Sequence, residues 1–410
     1  MNSEELKTKT SKEHYTSKDT KRGIVIGIIL TITVMLAINS AMLSYKIWIK
    51  KDYNYESKAK AIYNLMQSEY VGDLDKDKIF DGLYTGMVAL ATDKYSRYIS
   101  KEDFEAYKIS TSGNYAGIGA KTSIDPEDYT IYILSAYENS PADKAGLKSG
   151  DKILKVDGRV VGYDNYNDAI ECIRGEKGTS IVLTIKRGEQ IFDATVTRDD
   201  VDVPTVGGTV LNKNIGYIKI EGFEAVTYDQ YKSVYDNLRK QGITSLIIDL
   251  RNNPGGLLDI VSKIADDIIP EGIITYTEDK KGNKSYIKSS EGEIDIPLAV
   301  LVNENSASAS ELLTAAIKDT GKGTIIGKNT YGKGVVQTTF PFNDGSAVKL
   351  TTSKYYTPKG VCIDGVGVAP DIEVDNPTDY EYTTLSSDKV ECDVANDTQL
   401  RKALEVLAGK

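Results

Sequence analysis

Histidine is almost missing from this chain: one occurs in 410 residues, His14. Beyond position 14 there is no imidazole to relay a proton for a serine or cysteine nucleophile, and no histidine-centred transition-metal site. Cysteine is scarce too. Cys172, Cys362 and Cys392 are odd in number and form no C-x-x-C pair. Neither a disulfide framework nor a structural zinc site is indicated, although one bridge and a carboxylate-bound calcium stay open. Positive charge falls short of negative, with 50 Lys and Arg against 60 Asp and Glu, a net of −10. No basic cluster stands out beyond the first 60 residues, which argues against a nucleic-acid partner.

One long apolar run is present. Residues 23–43, GIVIGIILTITVMLAINSAML, carry no charge, and about 20 such residues cross a bilayer core. A transmembrane anchor is expected. The alternative, a cleaved signal peptide, has an apolar core of roughly 7 to 15 residues, shorter than this run. Lys7, Lys9, Lys12, Lys18, Lys21 and Arg22 precede the run, and Lys46, Lys50, Lys51 and Lys58 follow it. That bias predicts a single-pass protein of the cell membrane with a cytoplasmic amino terminus and an extracytoplasmic body. Tyr45 and Trp48 suit the far interface. His14 would then lie across the membrane from the body, so a Ser-His-Asp triad there is unavailable.

The length allows about two to three domains. Ile62, Leu65, Met66 and Tyr70, then Ile79, Leu83, Met87 and Leu90, recur at helical spacing and predict two short amphipathic helices for packing or self-association. From Gly117 to Arg187, strand-like runs (YTIYILSAY, KILKVDG, SIVLTIKR) alternate with Gly and Asp turns and two short helices. With Gly117-Ile118-Gly119, Ser140-Pro141-Ala142, Ala145-Gly146-Leu147 and Gly150-Asp151, this region resembles a PDZ domain. The resemblance implies that Gly117, Ile118 and Gly119 form a carboxylate-binding loop beside a strand edge that pairs with an extended tail. The bland alternative is a set of glycine turns in any small β-rich domain. After VDVPTV, apolar strands (NIGYIKI, SLIIDL, PLAVLVN) alternate with helices, which indicates an α/β layer with mostly parallel pairing. QLRKALEVL closes the chain as one more amphipathic helix.

Three stretches of this last region carry chemistry. VNENSASASE, residues 302–311, sets serines at a strand-to-helix corner, where unpaired N–H groups can stabilise an oxyanion. Ser308-Ala309-Ser310-Glu311 equally fits a capping box without catalysis. NTYGKGVVQTT places Lys333, Val335 and Gln337 on one face if the strand is regular. A lysine serves as a base near neutrality only if its pKa falls from about 10.4 to near 7, which takes roughly 4.6 kcal/mol of burial. Gln337 would then hold the neutral amine. The alternative is a solvated lysine among glycines. DLRNNPGGLLD, residues 249–259, lets main-chain N–H groups approach an oxyanion or phosphate at Gly255-Gly256, or forms a plain turn. A phosphate loop would continue as G-K-[ST], and this one does not. No cofactor is indicated.

Together these motifs resemble the carboxy-terminal processing, or tail-specific, serine proteases, from about Tyr53 to the final helix. The resemblance implies Ser308 as nucleophile, Lys333 as base with Gln337 beside it, and backbone donation to an oxyanion from Gly255, Gly256 and Ala309. It also implies support from Glu311, Asp319 and Thr330, and suggests a homodimer. Two departures stand out: Asp93-Lys94-Tyr95-Ser96 where Asp-Pro-Tyr-Ser is common, and Asn305 where glycine is frequent. The expected fold is an α+β multidomain chain: cytoplasmic tail 1–22, transmembrane helix 23–43, helical segment 52–98, PDZ domain 108–190, α/β crotonase-like protease core 199–376 and helical tail 377–410. The expected activity is that of a serine endopeptidase acting on proteins or peptides with free C-termini. The alternatives are a PDZ adaptor that binds without cutting and an acyl-CoA enzyme of crotonase type.

Overall fold

The computed structural model describes residues 21–42, 55–212, 214–292, 294–382 and 384–409. His14, the basic residues before 21, Tyr45 and Trp48 lie outside them. The chain divides into two units, Met1–Ile79 and Phe80–Lys410. The first holds the helix Lys21–Met42, long and apolar enough to cross a membrane, and the helix Tyr55–Glu69, whose Ile62 and Leu65 are exposed.

Within the second unit, the regions expected to be β-rich and α/β take those forms. The strands Ala120–Ile124, Ile131–Ala136, Lys152–Val156, Ser180–Arg187 and Gln190–Thr197 form an antiparallel sheet around Ile118, Ile131, Ile153, Leu183 and Ile185. The helix Tyr166–Ile173 packs on it through Ala169 and Ile173. Asn114–Gly117 pairs with Asp199–Asp202 where the chain enters and leaves this domain.

The larger core is a six-stranded sheet in the order Val206–Leu211, Ile215–Ile220, Ser245–Asp249, Leu298–Val302, Gly323–Gly327, Ile372–Glu373. Every pairing after the first is parallel. A parallel sheet needs cover on both faces, which explains its almost unbroken apolar strands. Ile248, Val300 and Val302 face the helices Thr227–Lys240, Leu258–Ile268 and Ala309–Thr320. Ile247, Ala299 and Leu301 face Leu400, Ala403, Leu404 and Leu407 of the helix Thr398–Ala408. The C-terminal helical tail therefore supplies a layer of the core. The strand Arg97–Ile99 likewise joins the antiparallel sheet of Ala347–Tyr356, Gly272–Asp279, Lys284–Ser289 and Val335–Pro341.

A buried ion cluster locks that last layer on. The Arg251 guanidinium, 2% exposed, pairs with Asp249 at 2.6 Å and Asp397 at 2.8 Å, and lies 5.0 Å over the Tyr382 ring. Burial pushes the Asp249 carboxyl up, but the charges of Arg251 and Lys219 and the hydrogen bonds from Arg251 and Tyr217 outweigh it, leaving the group well below the usual carboxylate range. Removing the cation alone strands two buried carboxylates. Arg251→Met is expected to cost about 3–5 kcal/mol in urea unfolding; a loss under about 1 kcal/mol would mean the cluster is not what fastens the helix.

Candidate active site

Leu298–Val302 ends in the loop that carries the three serines. Ser306 and Ser310 are fully buried, and their hydroxyls donate to Leu250 O at 2.8 Å and Asn253 O at 2.9 Å. Only Ser308 is half-buried. Its backbone stands at φ 57°, ψ −113°, immediately before the helix Ala309–Thr320. For a residue with a Cβ this conformation costs about 1–3 kcal/mol and must be held by its surroundings.

The holding group is Glu311, fully buried in the first turn of that helix. Its Oε2 accepts the N–H of Ser308 and the N–H of Lys333, each at 2.8 Å. Its Oε1 accepts the Thr330 hydroxyl and Gly332 N–H, each at 2.6 Å. The reach of Glu311 back to Ser308 N is half of a capping-box pattern, but here the same oxygen also seizes a second loop. Tyr355, at the end of the strand Ala347–Tyr356, closes the pair from the carbonyl side. Its hydroxyl is 2.8 Å from Ser308 O and also hydrogen-bonds Lys333 O. Burial, then the Glu311 charge, keeps this phenol well above its ordinary range, so it remains a donor. Ser308 and Lys333 are thus stapled backbone to backbone at both their N–H and C=O groups.

The Lys333 side chain is half-buried. Burial, then the charge of Lys349, push its ammonium below the ordinary lysine range, while Tyr331, Glu311 and Asp93 pull the other way. The amine lies 5.0 Å from the centroid of the Tyr95 ring. Among the described residues no hydrogen bond joins it to Ser308.

Several expectations need correction. Lys333 does not share a regular strand with Gln337: the strand begins at Val335, and a register shift between Val336 and Gln337 breaks the two-residue alternation. The Gln337 amide donates to Val335 O and to the Thr351 hydroxyl rather than holding the amine. Asp319 accepts from Lys359 N at 3.0 Å, three turns along the helix from Ser308, and so steadies a neighbouring loop. Gly255 donates its N–H to Asn253 Oδ1 at 2.8 Å, and that donor is already engaged. Its role is steric: a Cβ there would lie 2.8 Å from both Ala307 O and Ser308 Cβ. Among the described residues, the N–H groups of Gly256 and Ala309 have no protein acceptor. The Thr330 hydroxyl accepts Val368 N and donates to Glu311.

Sequence reading passed over Tyr355 and gave no role to Tyr95 or the asparagines, although Tyr95 and Asn305 stand in the two departures from the related motifs. Asn252, at φ 60°, is tied to the serine loop by its N–H to Asn303 Oδ1 at 2.9 Å, and its Oδ1 receives Asn303 Nδ2 at 2.8 Å and Asn305 Nδ2 at 3.0 Å. The repeated asparagines in RNNPGG and VNEN were the only signal.

In the β-rich domain, a groove of about 680 Å³ is lined by Tyr115, Ile118, Ala120, Tyr166, Ile170 and Arg174, with further residues from the helix Lys101–Ser112. The carbonyls of Ile118 and Gly119 turn into the domain, toward Ala142 N and Tyr137 N. At Gly119, φ 73°, a Cβ would meet Ser140 Cβ at 2.4 Å, which explains the glycine. Burial pushes the Tyr115 phenol above its ordinary range, against the Arg174 charge and the N–H groups of Ala120 and Gly119. Gly117 is paired with Asp199.

A peptide groove attached to an α/β core with a serine on a strained corner defines a PDZ-containing serine-type peptidase. Residues 214–374 match peptidase family S41, and residues 132–187 match a PDZ domain. The carboxy-terminal processing protease CtpA of Bacillus subtilis is 35% identical over 398 residues, 94% of this chain and 85% of the relative. A probable CtpA-like serine protease of Staphylococcus epidermidis is 34% identical over 375 residues, 89% and 75% of the two chains. A putative S41 protease of Bacteroides fragilis shares the fold, with a TM-score of 0.54 at 17% identity, covering 87% of this chain and 98% of the other. This chain belongs to peptidase family S41, among the carboxy-terminal processing serine proteases.

Proposed function

We propose that the protein is a membrane-anchored endopeptidase that captures carboxyl-terminal tails of protein substrates on its PDZ groove and cleaves them through a Ser308–Lys333 dyad. The anchor would be the helix Lys21–Met42, with the body outside the cytoplasm, as the basic residues before it favour. The observation that carries the dyad is the shared Glu311 oxygen, which fixes the backbones of Ser308 and Lys333 beside each other. The neutral Lys333 amine takes the Ser308 proton as Oγ bonds to the scissile carbonyl carbon. The resulting ammonium then protonates the leaving amine; water next bonds to the acyl carbon while giving a proton to Lys333, and Lys333 returns it to Ser308 Oγ as the acyl–oxygen bond breaks. The N–H groups of Gly256 and Ala309 are the donors for the oxyanion. A tail carboxylate would be received by N–H groups of the Gly117-Ile118-Gly119 turn beside the PDZ groove.

The test uses the full chain in detergent. A fluorophosphonate reagent is expected to label Ser308, located by mass spectrometry, and a peptide with a free carboxylate is expected to be cut faster than its amide. Labelling elsewhere removes the nucleophile assignment; equal rates remove tail recognition.

Activity should rise with pH through the Lys333 pKa, because the base is the neutral form, and the limb should fall below the ordinary lysine range. Lys349→Met deletes a charge that disfavours the Lys333 ammonium, so the Lys333 pKa rises and the limb moves up, by about half a pH unit. A limb that moves down or stays put would contradict a lysine base repelled by Lys349.

A further inference from the structure

Lys333 rests against an aromatic ring rather than against the serine it would serve. Its Nζ is 5.0 Å from the Tyr95 centroid. Tyr95 belongs to a segment held tightly in place. Asp93 Oδ1 accepts Tyr95 N at 3.0 Å and Ser96 N at 2.9 Å; the buried Ser96 hydroxyl accepts Thr351 N at 2.9 Å; and Arg97–Ile99 then pairs with Ala347–Lys349. Lys94, which stands where the related motif has proline, also neighbours the ring. Its Nζ donates to the Tyr331 hydroxyl at 3.0 Å and lies 5.0 Å from the Tyr95 centroid. Because Tyr331 precedes Gly332-Lys333 in the chain, the Lys94 contact ties the Tyr95 segment to the loop that carries the lysine. The backbones of Ser308 and Lys333 are already stapled by Glu311 and Tyr355. With those backbones held, rotation of the Lys333 side chain is the movement that would carry its amine from the ring to the Ser308 hydroxyl.

We infer, on the reading of Lys333 as base, that Tyr95 is a positioning residue whose ring face parks the Lys333 ammonium away from Ser308. An aromatic face attracts the cation and not the neutral amine. Protonated Lys333 therefore stays on the ring, and deprotonated Lys333 is free to turn toward the hydroxyl. Tyr95 opposes the effect of burial, raising the pH at which the base is released. The other charged or titratable groups facing the amine are Asp93 and Lys94 from the same segment, Tyr331 from its own loop, Glu311 from the helix and Lys349 and Tyr355 from the strand. Of these, Lys94 and Tyr331 also neighbour Tyr95 and would feel its loss; Tyr95→Phe removes the hydroxyl beside them and keeps the ring.

The experiment measures two quantities on the full chain in detergent: the pH limb of cleavage, and the pKa of the Lys333 amine by competitive acetylation and mass spectrometry, which needs no turnover. Tyr95→Leu is expected to move both down by about one pH unit, giving severalfold faster cleavage below the parent limb. Tyr95→Phe keeps the ring face and should leave both where they are; Tyr95→Met replaces the leucine variant if that one does not fold. A Tyr95→Leu protein with slower cleavage but unmoved limb and acetylation pKa would make Tyr95 merely structural and overturn the inference. An equal shift in Tyr95→Phe would assign the effect to the hydroxyl and overturn it too. Failure of the dyad reading looks different: the acetylation pKa of Lys333 would respond to Tyr95→Leu and to Lys349→Met while the cleavage limb ignored both.

Discussion

Ser308→Ala is expected to lose cleavage of an unstructured protein by about ten-thousand-fold or more, and Lys333→Met to lose nearly as much. The double variant should be no worse than either alone, because groups that act as one unit are grossly non-additive. The serine variant should keep the parent's fold: alanine accepts the same backbone, and the N–H and C=O of residue 308, not its hydroxyl, are what Glu311 and Tyr355 hold. Ser308→Gly adds an independent check on the strained corner. With φ at 57° the glycine relieves strain, and about 1 kcal/mol of extra stability over the alanine variant is expected in urea unfolding. Substantial cleavage by Ser308→Ala would leave the chain's peptidase activity to some other nucleophile.

Glu311→Gln should also lose activity, less steeply and for a different reason. Each carboxylate oxygen receives two donors, so the four bonds need an acceptor at both ends. Glutamine keeps the volume and supplies one acceptor; its NH2 end would face two donors in a fully buried site. Each unmet donor costs about 1–3 kcal/mol. A stability loss of about 2–5 kcal/mol is therefore expected, with cleavage falling at least about hundredfold, since a misplacement of about 1 Å between reacting groups has that effect. Glu311→Asp keeps the charge but shortens the reach, and should fall between. A glutamine variant that cuts at the parent rate would show that the staple does not set the geometry of the dyad.

The two variants separate what a site needs chemically from what holds it together. Serine and lysine could be named from motifs because each motif is a run of neighbouring residues. Glu311 and Thr330 were also legible, since both sit within or beside those runs. Tyr355 was not: nothing local marks it, and it meets Ser308 only because its strand and the helix Ala309–Thr320 come together from separate parts of the core. Tyr95 was given no role for the same reason, since it reaches Lys333 through the pairing of Arg97–Ile99 with Ala347–Lys349. Gln337 was misread because a bulge is invisible to a rule of strict alternation. Gly255 was misread because the use of its N–H depends on where Asn253 points.

The amino-acid order alone determined the apolar helix near the start, the β-rich and α/β regions, the glycine and serine loops and the scarcity of histidine. Those follow from composition, periodicity and turn chemistry, which act between residues a few positions apart. Which serine is free, which oxygen binds both loops and which ring the lysine rests on were settled by the tertiary structure. Such contacts join residues from distant strands and helices, and only sheet register and the packing of buried faces bring them within the few ångströms over which hydrogen bonds and cation–π attraction operate.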